Sequence, residues 1–100
     1  MRVALCQVPV SSDPAVNLGR AKAALGDAAA AGAELAVFPE GTQARFGSDL
    51  RSIAEPTDGS FCTGLAEAAR DHGIAVIAGV YEPGPGDRVY NTAVAFDARG

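Results

Sequence analysis

The sequence feature best suited to chemistry is a glutamate that directly follows a short apolar segment. Glu40 comes after Phe38 and Pro39 and before Gly41. Functional side chains in open α/β sheets collect just beyond the carboxyl ends of the strands. Partial burial there raises a carboxylate pKa towards the range useful for general acid–base catalysis. A solvated glutamate at the start of a loop is the alternative, and position alone favours that alternative.

Two further polar residues are expected close to this position. Glu82 follows the third predicted strand and could line the same edge as Glu40, and Asn91 belongs to the fourth predicted strand. An asparagine amide is better suited to orienting a loop through hydrogen bonds than to reacting. We predict Glu82 and Asn91 as secondary, substrate-binding residues.

The cysteines and the histidine are weaker candidates. Cys6 and Cys62 lack CxxC spacing, and His72 is the one histidine, so the roughly four ligands of a structural zinc site are not available. Cys62 falls in the first turn of a predicted helix, where a thiol pKa is lowered, and is the better nucleophile of the two. Free cysteines are commonly buried packing residues, and we predict that role for both. His72 precedes Gly73 at a helix end, where a cation interacts favourably with the helix dipole.

No nucleotide-binding loop is predicted. Residues 84–86 read Gly-Pro-Gly, but no helix follows them, and Lys22, the one lysine, lacks the glycines of a P-loop. We therefore expect neither a metal nor a cofactor.

Apolar segments and turn residues predict alternating strands and helices. Strands are expected at residues 3–8, 34–38, 74–80 and 89–96. Helices are expected from an Asp13 cap to Gly32, over residues 48–54, and from a Ser60 cap to Gly73. The alternation favours parallel pairing with right-handed crossovers. The last two strands are joined by a loop at residues 82–88 and are expected to form an antiparallel hairpin.

Composition indicates a globular protein and excludes several partners. The 100 residues are 48% hydrophobic with a net charge of −4, and the arginines are scattered. Nucleic-acid binding needs clustered cations, so that class is disfavoured. No segment has the length or pattern of a membrane span or signal peptide, and a cytoplasmic protein is expected.

The last residues suggest a fold interrupted partway. Residues 97–100, Asp-Ala-Arg-Gly, form a favourable hairpin turn, but no return strand follows. We interpret residues 1–100 as the N-terminal segment of a single domain.

An ordered set of segments resembles the nitrilase superfamily of carbon–nitrogen hydrolases. The segments are residues 2–7 (RVALCQ), Asn17, residues 32–40 (GAELAVFPE), residues 74–79 (IAVIAG) and residues 90–93 (YNTA). The resemblance implies a four-layer α-β-β-α sandwich and a Glu–Lys–Cys triad that hydrolyses a non-peptide C–N bond in an amide, N-carbamoyl compound or nitrile. It also implies a homo-oligomer in which helices flanking the sheets pair.

Within that resemblance, Glu40 matches the general base. The lysine that stabilises the oxyanion and the cysteine nucleophile would both lie after Gly100, so neither can be assigned to Lys22, Cys6 or Cys62. The isolated chain is therefore expected to be inactive, and to aggregate through exposed apolar sheet.

Two other interpretations remain open. One is a truncated or degenerate domain that acts only by binding. The other is a complete small α/β binding module of flavodoxin-like type, which would unfold reversibly and cooperatively in isolation.

Overall fold

The computed structural model describes residues 1–100, and its elements follow the predicted order. They are β1 (Val3–Leu5), α1 (Pro14–Ala30), β2 (Leu35–Val37), α2 (Leu50–Ile53), α3 (Ser60–His72), β3 (Ala75–Pro83) and β4 (Val89–Phe96). Every predicted strand and helix is present, although several of the predicted ends are wrong.

The four strands form one sheet in the order β1-β2-β3-β4. β1 pairs with β2 and β2 with β3 in parallel, whereas β3 and β4 are antiparallel. Both predicted pairing modes are confirmed. In the hairpin, Tyr81 lies opposite Asn91 and Glu82 lies opposite Tyr90.

Capping residues set the start of α1 and the end of α3. The side chain of Asp13 accepts a hydrogen bond from Ala15 N at 2.9 Å, and Pro14 is the first helical residue of α1. This satisfies one of the free N–H groups of the first turn. The second long helix, α3, ends at His72, and Gly73 directly after it adopts the left-handed conformation with φ +64°. Both predicted boundaries are confirmed.

The strand lengths differ from the prediction because a strand extends only as far as its partner. β1 ends at Leu5 rather than residue 8, since β2 is itself only three residues long and Pro39 follows it closely. β3 continues through Glu82 to Pro83, because Pro83 pairs with Val89 at the start of β4. The loop between them is therefore shorter than the predicted 82–88.

The start of α3 also differs from the prediction. Ser60 is the first helical residue, and the cap position belongs to Gly59, which makes no side-chain cap bond. The carboxylate of Glu55 replaces that cap, accepting hydrogen bonds from Ser60 N at 3.4 Å and from Phe61 N at 3.0 Å. The predicted short helix at 48–54 is likewise reduced to the single turn of α2.

Helices cover only one face of the sheet. The core joins α1 and α3 to the covered face, whose buried residues include Ala36, Val76, Ala78, Val80 and Val94. Strand residues alternate between faces. The opposite face, which we call the open face, carries Val3, Leu5, Leu35, Val37, Ala75, Ile77, Gly79, Tyr81, Asn91, Ala93 and Ala95. The core that joins α1 and α3 to the sheet lies on the other side, and Leu5 is 79% exposed.

Candidate functional site

Glu40 lies on a turn beyond the end of β2, at the edge of the open face. Its Oε1 accepts a hydrogen bond from Asn91 Nδ2 at 2.7 Å, across 51 residues of sequence. The other oxygen, Oε2, has no hydrogen-bond partner in this chain. Glu40 is exposed, so the partial burial expected from the sequence is not provided by residues 1–100.

The turn that carries Glu40 rests directly on β3. A Cβ atom placed on Gly79 would lie 2.6 Å from Gly41 N, 2.8 Å from Glu40 Cα and 3.0 Å from Pro39 O. The first two distances are shorter than real Cβ contacts, so only glycine allows the backbone of the turn to approach the strand so closely. Gly41 itself has φ +70°, a conformation that favours glycine.

Tyr81 packs against the turn next to Gly41. Its hydroxyl is 2.8 Å from the position that a Cβ on Gly41 would occupy, and the residue is buried. Burial, together with the charge of Glu40, raises the pKa of Tyr81 above its ordinary value. The phenol therefore stays neutral next to the carboxylate at physiological pH.

Buried polar side chains hold the loop after Glu40. Gln43 is central: its N donates to Gly79 O at 3.3 Å, and its Oε1 accepts from Tyr81 N at 2.8 Å. The backbone carbonyl of Gln43 accepts a hydrogen bond from Asn17 Nδ2 at 2.9 Å, which connects the loop to the first turn of α1. Thr42 Oγ1 donates to Pro39 O and closes the turn. Buried polar groups need such partners, so this network fixes the route of the loop.

Glu40 and Asn91 line a cavity of about 310 Å³. The rest of its lining is made of residues from the end of β2 and from the hairpin, namely Phe38, Ile77, Ala78, Gly79, Thr92 and Ala93. A concave, mainly apolar surface with a few convergent polar groups is the usual form of a small-molecule site. The arrangement can present one carboxylate to a polar group of a bound molecule.

The structure does not bring Glu82 to this cavity. Glu82 lies within β3 next to Tyr81, so strand alternation directs it away from the open face. Its Oε1 accepts from Thr92 Oγ1 at 2.8 Å. Of the two residues predicted to line the site with Glu40, only Asn91 is found there, and their substrate-binding roles stay predictions.

The remaining candidates do not line the cavity with Glu40. Cys62 is buried in α3, and burial, with smaller effects from the charges of Glu55 and Glu82, raises its thiol pKa. Burial also raises the pKa of Cys6, which follows β1 and packs against the core. Raised thiol pKa values disfavour thiolates, which agrees with the predicted packing roles. His72 is exposed at the end of α3.

A second, more polar cleft of about 430 Å³ lies at the tip of the hairpin. Its lining includes Asp49, Arg51 and Arg88. Arg51 forms an exposed ion pair with Asp87 at 3.1 Å, a kind of contact that contributes little to stability. No group of three or more His, Cys, Asp or Glu side chains in residues 1–100 is placed to hold a metal ion, and no helix combines the length and apolar character needed to cross a membrane.

Sequence comparison relates the whole chain to one family. A family model described as carbon-nitrogen hydrolase matches residues 2–100. A hydrolase from Mycobacterium tuberculosis (strain H37Rv) is 47% identical over 95 residues, which are 95% of this chain and 34% of that protein. An omega-amidase from Danio rerio is 34% identical over 100 residues, covering 99% of this chain and 36% of that protein. The chain thus spans about a third of the length of these curated relatives.

Structural comparison gives the same result. An amidase from Nesterenkonia sp. matches with a TM-score of 0.84 and 27% identity, covering 99% of this chain and 39% of that chain. In a solved mutant of an amidase from Nesterenkonia sp. AN1, the acetamide moiety of fluoroacetamide is added covalently to the active-site cysteine. That mutant is 26% identical with a TM-score of 0.78, and the match covers 99% of this chain and 39% of the mutant. The predicted fold class is confirmed: the chain is α/β and has the fold of the N-terminal part of a nitrilase-like four-layer sandwich.

Proposed function

The chain belongs to the carbon–nitrogen hydrolase family, and from that membership we propose that the whole protein hydrolyses a non-peptide C–N bond with Glu40 as the general base. The observation that carries the proposal is that Glu40 lines a cavity, with one carboxylate oxygen bonded to Asn91 and the other without a hydrogen-bond partner in this chain. A carboxylate so placed can exchange a proton with a nucleophile bound in front of it.

The proposed nucleophile is a cysteine thiol supplied from beyond Gly100. Support comes from the mutant of the Nesterenkonia sp. AN1 amidase, in which the acetamide moiety of fluoroacetamide is added covalently to the active-site cysteine. Cys6 and Cys62 are poor substitutes, because both have raised thiol pKa values and neither lines the cavity.

The proposed reaction has two halves. Glu40 takes the thiol proton as the sulfur attacks the substrate carbonyl, and a lysine from beyond Gly100 stabilises the oxyanion of the tetrahedral intermediate. Protonated Glu40 then gives its proton to the departing amine or ammonia, which leaves a thioester. Glu40 next takes a proton from water as the water attacks the thioester. The C–S bond then breaks, the acid is released, and Glu40 returns the proton to the departing sulfur, which restores the thiol and the carboxylate.

An amide is the proposed substrate class, ahead of N-carbamoyl compounds and nitriles. Relatives of the chain include an omega-amidase and an amidase. The cavity of about 310 Å³ is of a size that suits a small molecule. We further propose that the whole protein is a homo-oligomer, which light scattering on the purified protein would test, and that it works in the cytoplasm, which cell fractionation would test.

The experiment that tests the proposal is a substrate panel on the whole protein. Small primary amides, N-carbamoyl amino acids and nitriles would be compared by ammonia release, with the isolated 100-residue chain assayed in parallel. We expect turnover of amides by the whole protein and none by the isolated chain. Turnover by the isolated chain that is abolished in Glu40→Gln would show that the triad is not needed.

The competing interpretation, a truncated domain that acts only by binding, is separated by the coding sequence after Gly100. A reading frame that continues through a lysine and then a cysteine supports the hydrolase. An immediate stop codon, together with no turnover of any of the three substrate classes, supports a binding domain.

A further inference from the structure

We propose that Asn91 is a positioning residue that holds Glu40 in one orientation and gives the two carboxylate oxygens different tasks. This inference rests on the proposed role of Glu40 as the general base. It differs from the substrate-binding role predicted for Asn91, because the asparagine would act through Glu40 and would not touch the substrate.

The two side chains differ in how many conformations are open to them. Asn91 has a short side chain on β4, directly opposite Tyr81, with ladder pairs on either side. Glu40 is exposed, and its longer side chain has several rotamers available. The distance of 2.7 Å between Asn91 Nδ2 and Glu40 Oε1 is at the short end for a charge-assisted hydrogen bond. The strand therefore supplies a fixed donor that selects one rotamer of the glutamate.

The bond suits both protonation states of the base. An amide N–H can donate to a carboxylate oxygen and equally to the carbonyl oxygen of a neutral carboxylic acid. With Oε1 kept as the acceptor throughout, the proton taken from the thiol must reside on Oε2. The same oxygen then faces the leaving group when the proton is returned, so neither half of the reaction requires the side chain to rotate.

The neighbouring side chains leave Asn91 as the one donor from the hairpin. Tyr81, on β3, is the titratable group next to the turn, and its raised pKa keeps it neutral. Glu82 and Tyr90 form the next pair along the hairpin and alternate to the other face. No hydrogen bond joins Tyr81 to Glu40. The Tyr81 phenol therefore packs against the turn at Gly41, while the Asn91 amide orients the carboxylate.

The test is the whole protein with Asn91→Ala and Asn91→Asp, assayed with a small amide over a range of pH. For Asn91→Ala we expect kcat to fall by about 10²-fold, the cost of a catalytic group misplaced by about 1 Å, with KM little changed. A substrate contact would instead raise KM and leave kcat unchanged, and that result would overturn the proposal.

Asn91→Asp gives a signature that a purely structural role would not produce. The new carboxyl group can donate to Oε1 only while it is protonated, and two ionised carboxylates at this distance repel each other. We therefore expect Asn91→Asp to be active at low pH and to lose activity as the pH rises and the two carboxyl groups lose their shared proton. This descending limb of the pH profile should be absent from the wild type and from Asn91→Ala. A profile parallel to that of Asn91→Ala at every pH would overturn the proposal.

Two controls separate this inference from the proposed function. Tyr90→Phe alters the adjacent residue of β4 on the opposite face and should leave kcat and KM unchanged. Glu40→Gln tests the base itself: if that variant keeps full activity, the proposed function fails independently of Asn91. If Glu40→Gln is inactive while both Asn91 variants behave like the wild type, only the positioning role fails. If Asn91→Ala does not fold, Asn91→Leu keeps the size of the side chain without a donor, and the same fall in kcat is expected.

Discussion

Replacing Gly79 with alanine should displace the turn that carries Glu40. The added methyl group would lie 2.6 Å from Gly41 N and 2.8 Å from Glu40 Cα, whereas ordinary contacts begin at 3.4 Å. The turn must therefore withdraw from β3 by about 0.8 Å, the difference between 3.4 Å and 2.6 Å. A movement of that size would stretch the 2.7 Å bond from Asn91 to Glu40, because Asn91 is held in β4.

The expected loss is larger for activity than for stability. A misplacement of about 1 Å at a catalytic group costs about 10²-fold in rate. Inserting a methyl group into a packed contact costs about 1–3 kcal/mol of folding free energy. We therefore expect kcat/KM for an amide substrate to fall by about two orders of magnitude in a protein that remains folded.

Gly19→Ala is the matched control. It makes the same chemical change in the middle of α1, where nothing lies within 4 Å of the new methyl group. There alanine should raise helix stability by about 1 kcal/mol and leave kcat/KM unchanged. The assay is steady-state kinetics on both variants of the whole protein, with thermal unfolding to verify the fold. Unchanged kcat/KM in a folded Gly79→Ala variant would refute the argument that this contact places Glu40.

Three further predictions concern the elements that support the site. In Gly64→Ala the new methyl group would lie 2.6 Å from Leu18 Cδ2, which overpacks the contact between α3 and α1 at a cost of about 1–3 kcal/mol. The higher helix propensity of alanine offsets about 1 kcal/mol of that cost, so the free energy of unfolding in urea should fall by at most about 2 kcal/mol. Glu55→Gln should lower the free energy of unfolding by about 1 kcal/mol at pH 7. The pKa of Glu55 is lowered overall, since burial raises it but hydrogen bonds from Phe61 and Ser60 outweigh that effect. Its stabilisation is thus present above the ordinary carboxyl pKa and is lost as the pH falls through the lowered one, so the wild type should lose more stability than Glu55→Gln between pH 7 and pH 3. Cys62→Ser should keep the kcat of the wild type, and a complete loss of activity in a folded variant would show that this buried thiol is the nucleophile after all.

The order of the elements could be predicted from the sequence because its signals are local. Apolar segments mark the strands, and Asp13 with Pro14 marks the start of α1, as observed. Strand ends were less predictable, since they depend on partners distant in the chain. The extension of β3 to Pro83 is set by pairing with Val89. That extension also places Glu82 inside the strand, where alternation directs its side chain away from the open face.

The site could be predicted only in part. Glu40 and Asn91 were identified separately, and their hydrogen bond joins residues 51 positions apart that no local pattern links. Tyr81 and Gln43 were missed because a tyrosine in a strand and a glutamine in a loop have no distinctive sequence signal. Gly79 was included in the family resemblance, but its close contact with the turn depends on the tertiary packing of two separate segments.

The role of Glu40 is tested most directly by the rate at which the Glu40→Gln variant of the whole protein forms the thioester from an amide in a single turnover. Glutamine preserves the size of the side chain and can still accept from Asn91, but it cannot take the thiol proton. We predict a fall of about 10²- to 10⁴-fold in that rate, the usual contribution of a general base, in a protein whose thermal unfolding is unchanged. A thioester formed at the wild-type rate would contradict the assignment of Glu40 as the base.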